Sequence, residues 1–87
     1  MINGYYINSD GQVRKEVFHQ RPTDWVIASR TLPNDRYFVM RRRKPVRWIA
    51  IAMVNVFEYK FRGSVFEHPD KDSVIAWASM RAVLAGD

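Results

Sequence analysis

The sequence has no cysteine, only four glycines and four prolines, and no apolar run long enough to cross a membrane. The absence of cysteine excludes disulfides, thiol catalysis and thiolate-bound zinc or iron–sulfur centres. The longest nearly apolar run, residues 48–57, is half of the roughly 20 residues that a spanning helix needs. Because the chain start also lacks a basic flank followed by an apolar stretch, we expect no membrane partner and a cytoplasmic location.

Sequence signatures of catalysis are also missing. The four glycines form no phosphate-binding loop, and no serine lies in a Gly-x-Ser-x-Gly context. The two histidines, His19 and His68, lack metal-ligand spacing. Glu67, His68 and Asp70 are a candidate for proton transfer or metal binding, but their position just before a predicted helix favours capping. We therefore expect a non-enzyme without cofactor or metal.

What the chain does contain is enough apolar material for one folded domain. Of its 87 residues, 47% are hydrophobic and 14% are aromatic, so intrinsic disorder is not expected. Two separate cores need more residues than this, and the sequence predicts a single domain over residues 1–87. A domain this small buries only about 60% of its unfolded surface, which leaves modest stability and favours a partner or a second subunit.

Alternating apolar and polar side chains predict strands in the first half of the chain. An Asp-Gly turn at residues 9–11 separates two of them, residues 4–8 and 12–19. A further strand is predicted over residues 36–42. Between these, residues 25–32 fit either a strand or a short helix capped by Thr23 or Asp24, and we favour the strand.

The second half of the sequence predicts a covered strand and then a helix. Residues 46–62 combine β-branched and aromatic residues with alanines; we favour a central strand with a bend at Gly63, and a helix is the alternative. A helix is predicted over residues 70–85, with Trp77, Leu84, Val74 and Met80 forming one apolar stripe. The predicted fold class is α+β: a mostly antiparallel sheet of four to six strands, or a partial barrel, with one C-terminal helix.

The strongest functional signal is a concentration of positive charge. Residues 25–48 hold seven Lys and Arg against one Asp, a net of +6, whereas the whole chain has a net charge of +5. Clustered cations bind phosphate backbones because they release condensed counterions, and aromatic rings stack on unpaired bases. The predicted contacts with DNA, RNA or another anionic partner are Arg36, Tyr37, Arg41, Arg42, Arg43, Lys44, Arg47 and Trp48. Buried positions in the core are the alternative for the aromatic residues.

A different class of function stays open at this point. The predicted C-terminal helix is unusually apolar, and Trp77, Arg81 and Leu84 could form an interface with a second copy or with another protein. Arg81 either lays its stem along the surface or meets a carboxylate across such an interface. The alternative to nucleic-acid binding is therefore an adaptor or inhibitor, such as an accessory protein of a phage or mobile element, that docks an acidic protein surface.

Overall fold

The computed structural model describes residues 1–55 and 60–85 and contains one open antiparallel sheet. The elements in chain order are β1 (Ile2–Asn8), β2 (Val13–Phe18), α1 (Asp24–Ser29), β3 (Asp35–Arg42), β4 (Arg47–Asn55), β5 (Lys60–His68) and α2 (Lys71–Ala85). The strand order is β2-β1-β3-β4-β5, and each neighbouring pair is antiparallel. The predicted α+β class, with a C-terminal helix on an antiparallel sheet, is confirmed.

The turn between β1 and β2 has the local chemistry that the sequence predicts. Gly11 adopts a φ of +79°, a left-handed conformation that costs glycine little because it has no Cβ. The side-chain oxygen of Asn8 accepts hydrogen bonds from the backbone N–H groups of Asp10 and Gln12, at 2.9 and 3.0 Å. These bonds satisfy turn donors that no strand partner reaches, so the turn sets the register of the first hairpin.

The segment after β2 forms a helix, and the predicted strand over residues 25–32 is wrong. The Thr23 hydroxyl accepts a hydrogen bond from the Val26 N–H at 3.3 Å and caps the first turn of α1. The helix buries Ile27 and Ala28. The cap and this burial outweigh the β preference of the Val-Ile pair, because tertiary contacts override weak intrinsic propensities.

Each face of the sheet carries its own apolar cluster, since side chains alternate along a strand. On the face covered by α2, which we call the α2 face, the cluster consists of Tyr5, Ile7, Val39, Ala50, Val74, Ala78 and Ala82. On the opposite face, the α1 face, it consists of Tyr6, Phe18, Ile27, Phe38, Met40 and Ile49. The central strands are therefore buried on both sides, which explains their lack of a polar face.

The ambiguous segment after the basic residues is a strand, but it is shorter than predicted. β4 ends at Asn55, and a second antiparallel strand, β5, begins at Lys60. Gly63, predicted to bend the chain, lies inside β5. Part of the predicted strand, residues 56–59, lies outside the described residues. Alternation continues in β5, so periodicity alone did not separate two paired strands from one long strand.

α2 packs on the sheet through small residues. Val74, Ala78 and Ala82, spaced by four, are buried on the α2 face. The predicted stripe is wrong in part, because Met80 is exposed and Leu84 is 73% exposed. Alanines let the helix axis approach the sheet closely, which larger side chains at those positions would prevent. Within the described residues, no helix has the length and apolarity needed to cross a membrane.

Candidate functional site

The predicted basic residues lie on a hairpin between two central strands. β3 ends at Arg42, β4 begins at Arg47, and the two strands pair directly, with Arg41 opposite Trp48. We call residues 41–47 the basic hairpin. Its connecting residues, 43–46, are all exposed. The two rigid strands hold this connection at one end of the sheet, beside the start of β1.

Two arginines of the basic hairpin are already paired within the chain. Arg42 Nη1 donates to Glu67 Oε1 at 2.6 Å, and Arg47 Nε lies 3.6 Å from Glu67 Oε2. These three side chains lie on the α1 face. Arg42 is two residues after Met40, and Arg47 is two residues before Ile49, so both point to the same face as those core residues. Glu67 lies directly opposite Ile49. One carboxylate thus pairs with two guanidinium groups, so Arg42, Arg47 and Glu67 together keep a net positive charge.

The remaining cations of the basic hairpin have no such partner. Among the side chains that the structure describes, no carboxylate oxygen lies within 4.0 Å of a charged nitrogen of Arg41, Arg43 or Lys44. All three residues are exposed. Their charges face solvent, where an anionic ligand can reach them.

Arg21 joins these cations, and the sequence did not indicate it. Its Nη1 donates to the Arg41 backbone carbonyl at 3.1 Å, which holds the segment after β2 against the end of β3. Arg21 lies in the first 24 residues, whose charges sum to zero. Charge counting along the chain therefore could not single it out; the signal appears only when the strands are in place.

A shallow groove of about 330 Å³ lies at this end of the sheet. It is lined by Met1, Ile2, Asn3, Arg21, Arg41, Arg43 and Trp48. Trp48 is half-buried: its ring centroid is 6.1 Å from that of Tyr5, and the Lys71 ammonium lies 5.9 Å from it. Three arginines and one tryptophan are therefore among the residues that line the groove.

Arg36 and Tyr37, also predicted as contacts, lie away from the groove. They occupy the start of β3, about 13–17 Å from Arg41 at the usual strand rise. Arg36 Nη1 donates to the Pro33 carbonyl at 3.2 Å. The Tyr37 ring packs edge-on against Trp77, with centroids 5.7 Å apart, so it belongs to the packing between the sheet and α2.

The residues predicted as an interface are divided between the core and the surface. The Trp77 ring stacks on Phe66, with centroids 4.7 Å apart and an interplanar angle of 6°. The Arg81 guanidinium carbon lies 5.7 Å from the centroid of the Trp77 ring, which is four residues earlier in the same helix. Leu84 is exposed. Trp77 is thus an internal packing residue, and the apolar surface of α2 is formed by Met80, Val83 and Leu84.

The residues around His68 cap α2. Asp70 Oδ2 accepts hydrogen bonds from the Ser73 N–H at 3.0 Å and the Ser73 hydroxyl at 2.9 Å, and these bonds lower the pKa of Asp70. His68 Nδ1 accepts from the Asp70 N–H at 3.0 Å. Glu67 is bound to the two arginines. The described residues contain no group of three or more His, Asp or Glu side chains that could hold a metal.

No protein-family model, curated protein or solved structure matches this chain. The candidate site is therefore argued from the side chains and their geometry alone.

Proposed function

We propose that this protein binds nucleic acid, with the basic hairpin and Arg21 contacting phosphates. The observation that carries the proposal is the grouping of Arg21, Arg41, Arg43 and Lys44 at one end of the sheet, with Arg41, Arg43 and Lys44 not paired to any described carboxylate. Clustered cations neutralise the phosphates of a nucleic-acid backbone and release their condensed counterions. Guanidinium groups also form two parallel hydrogen bonds with a phosphate.

The ion pairs between Glu67 and two arginines of the basic hairpin support the same function. Glu67 holds Arg42 and Arg47 against β5 and so fixes both sides of the hairpin. A hairpin that is already ordered loses less conformational entropy when it binds a ligand. In this arrangement Arg42 and Arg47 position the hairpin, while Arg41, Arg43 and Lys44 bind the ligand.

Trp48 supports a contribution from bases. It lines the groove together with Arg41 and Arg43, and it lies directly across from Arg41 on the neighbouring strand. An aromatic ring stacks on any unpaired base, and such contacts are worth roughly 1–3 kcal/mol per base. We expect Trp48→Leu to weaken binding to single-stranded oligonucleotides more than to duplexes of the same length, as measured by fluorescence anisotropy.

The test is a salt titration of oligonucleotide binding with nuclease-treated protein. With three to four phosphate contacts, the slope of log K against log salt is about −2.5 on single strands and about −3 on duplexes. The double variant Arg43→Glu/Lys44→Glu should lower affinity at least tenfold and flatten this slope. The matched control is Arg36→Glu/Arg81→Glu, which changes the net charge equally at exposed positions outside the groove.

Two results decide against the proposal. Equal loss of affinity in both double variants would mean that net charge alone drives association. No binding by the unchanged protein at low salt, together with salt-sensitive binding to an acidic polypeptide, would favour docking to an acidic protein surface instead.

A further inference from the structure

The edge strand β2 exposes two valines on the α2 face of the sheet. Val13 is 45% exposed and Val17 is 43% exposed, and neither belongs to the apolar cluster under α2. Val13 lies opposite Ile7 and Val17 lies opposite Asn3, which places both on the same face as the buried Ile7. An apolar edge strand with free backbone groups is a template for pairing with another strand.

Hydrogen bonds show which backbone groups of β2 point outward. Arg30 Nη1 donates to the Val17 carbonyl at 3.1 Å, so this carbonyl does not point to β1. The Gln12 carbonyl, in contrast, accepts from the Asn8 N–H at 3.1 Å on the inner side. Because the direction alternates along an antiparallel strand, the N–H and C=O groups of residues 13, 15 and 17 face outward.

We propose that β2 pairs antiparallel with β2 of a second copy, about a two-fold axis at Lys15. This register places the outward residues opposite one another: Val13 against Val17 of the second copy, and Lys15 against itself. Each of the three pairs exchanges two backbone hydrogen bonds. The two sheets join into one ten-stranded sheet, since each contributes five strands.

The side chains of β2 are self-complementary in this register. On the α2 face, each exposed valine meets a valine. On the α1 face, Arg14 and Glu16 of the second copy occupy opposed positions, but both side chains already pair within their own chain: Arg14 binds Asp35, and Glu16 lies 4.0 Å from Arg14 and from Arg30. The register therefore opposes no like charges on this face. β-Branched pairs directly across two strands stabilise sheets, so the two Val13–Val17 pairs favour this register.

Two features make this association weak and reversible. The Lys15 side chains meet at the axis, and like charges directly opposite destabilise a strand pair. The Arg30 guanidinium stays bound to the Val17 carbonyl, whose second lone pair accepts the bond from the second copy. We expect a monomer–dimer equilibrium that depends on protein concentration.

Single-cysteine variants test the register, because the native chain has no cysteine. Opposed residues of a hydrogen-bonded pair have Cα atoms about 5.5 Å apart, within disulfide range. Lys15→Cys should cross-link to itself under mild oxidation. Val13→Cys and Val17→Cys should each form no disulfide-linked dimer alone and should cross-link to one another when mixed. Lys44→Cys, on the connection between β3 and β4, is the exposed control. Cross-linking of Lys15→Cys no faster than the control would overturn the proposal.

Sedimentation equilibrium of the cysteine-free protein provides a second test. Lys15→Thr removes the repulsion at the axis and should tighten the dimer about twofold to fivefold. Val13→Lys should weaken it, because a charged side chain would replace one valine of each Val13–Val17 pair, and the symmetry repeats this loss. Lys44→Thr changes the net charge as Lys15→Thr does and should have no effect. Equal dimerisation of all four proteins, or monomers throughout, would refute the pairing. Neither outcome bears on nucleic-acid binding.

Discussion

Arg14 and Asp35 form a two-pronged ion pair that spans three strands of the sheet. Arg14 Nη1 and Nη2 lie 3.1 and 3.0 Å from the two carboxylate oxygens of Asp35, and the hydrogen bond raises the pKa of Arg14. The side chain of Asp35 is 1% exposed and also accepts from the Leu32 N–H at 2.8 Å. The guanidinium passes over the Tyr6 ring of β1, 4.5 Å from its centroid. The pair therefore ties β2 and the start of β3 to one another across β1.

Asp35→Asn should lower the free energy of unfolding by about 2–3 kcal/mol. The change removes the carboxylate charge that the Arg14 guanidinium binds. An NH2 group, which cannot accept a hydrogen bond, replaces one of the two acceptor oxygens. Urea unfolding followed by circular dichroism measures the loss. Asp10→Asn, at an exposed turn position, is the matched control and should change stability by less than about 0.5 kcal/mol. Equal stability of the two variants would show that the ion pair contributes nothing.

Gly4→Ala should destabilise the protein by about 1–3 kcal/mol. A Cβ at this position would lie 2.5 Å from Phe38 Cζ and 2.8 Å from Phe18 Cε2, so both buried rings would have to move. Gly63→Ala is the matched control in another strand, where an added Cβ has no atom within 4 Å. That change should be neutral or stabilise by about 0.5–1 kcal/mol. The prediction is wrong if the two variants unfold at the same urea concentration.

Stability should fall between pH 10 and 12 because of Tyr6. Burial raises the pKa of its phenol from 10.0 to about 12, and its hydroxyl donates to the Ile27 carbonyl at 2.7 Å. Below pH 10 the phenol is neutral in both states and its stabilisation is complete. Between pH 10 and 12 the unfolded chain ionises first, which removes roughly 2–3 kcal/mol.

Phenolate absorbance against pH measures this titration, and urea unfolding at each pH measures the stability. Tyr6→Phe is the control: it should be less stable at neutral pH and should lose stability less steeply above pH 10. A steepness equal to that of the unchanged protein would assign the effect to other groups.

Thr23→Ala should cost about 1 kcal/mol by removing the cap of α1. The Ala variant leaves the Val26 N–H without its side-chain acceptor, whereas Thr23→Ser keeps a hydroxyl at the same place and should restore most of the loss. Hydrogen exchange at Val26 and Ile27 reports the local effect. An Ala variant as stable as the Ser variant would mean that the burial of Ile27 alone holds the helix.

Glu67→Gln should tighten nucleic-acid binding about twofold to fivefold at low salt. The change removes the carboxylate shared by Arg42 and Arg47 and leaves an amide that still accepts a hydrogen bond. Electrophoretic mobility shift or anisotropy titrations measure the affinity. The gain should disappear at high salt, where exposed charges are screened. Weaker binding would show that orientation of the hairpin by Glu67 matters more than its charge.

Local sequence determined the parts of this fold that depend on neighbouring residues. The Asp-Gly turn, the alternating β3 and the capped C-terminal helix were all predicted, because turn chemistry, alternation and caps act within a few residues. The concentration of arginines at residues 41–47 was equally visible in the chain. Together these features indicated the α+β class and the position of the candidate site.

Tertiary structure decided what depends on residues far apart in the chain. Residues 24–29 form a helix because Ile27 and Ala28 are buried there. The helix α2 packs on the sheet through its smaller residues, Val74, Ala78 and Ala82. Tertiary structure also brought Glu67 between Arg42 and Arg47, and Arg21 to the end of β3. A count of charges along the sequence cannot predict such contacts, because the energy of an ion pair depends on the distance between the charges in space and on the dielectric around them.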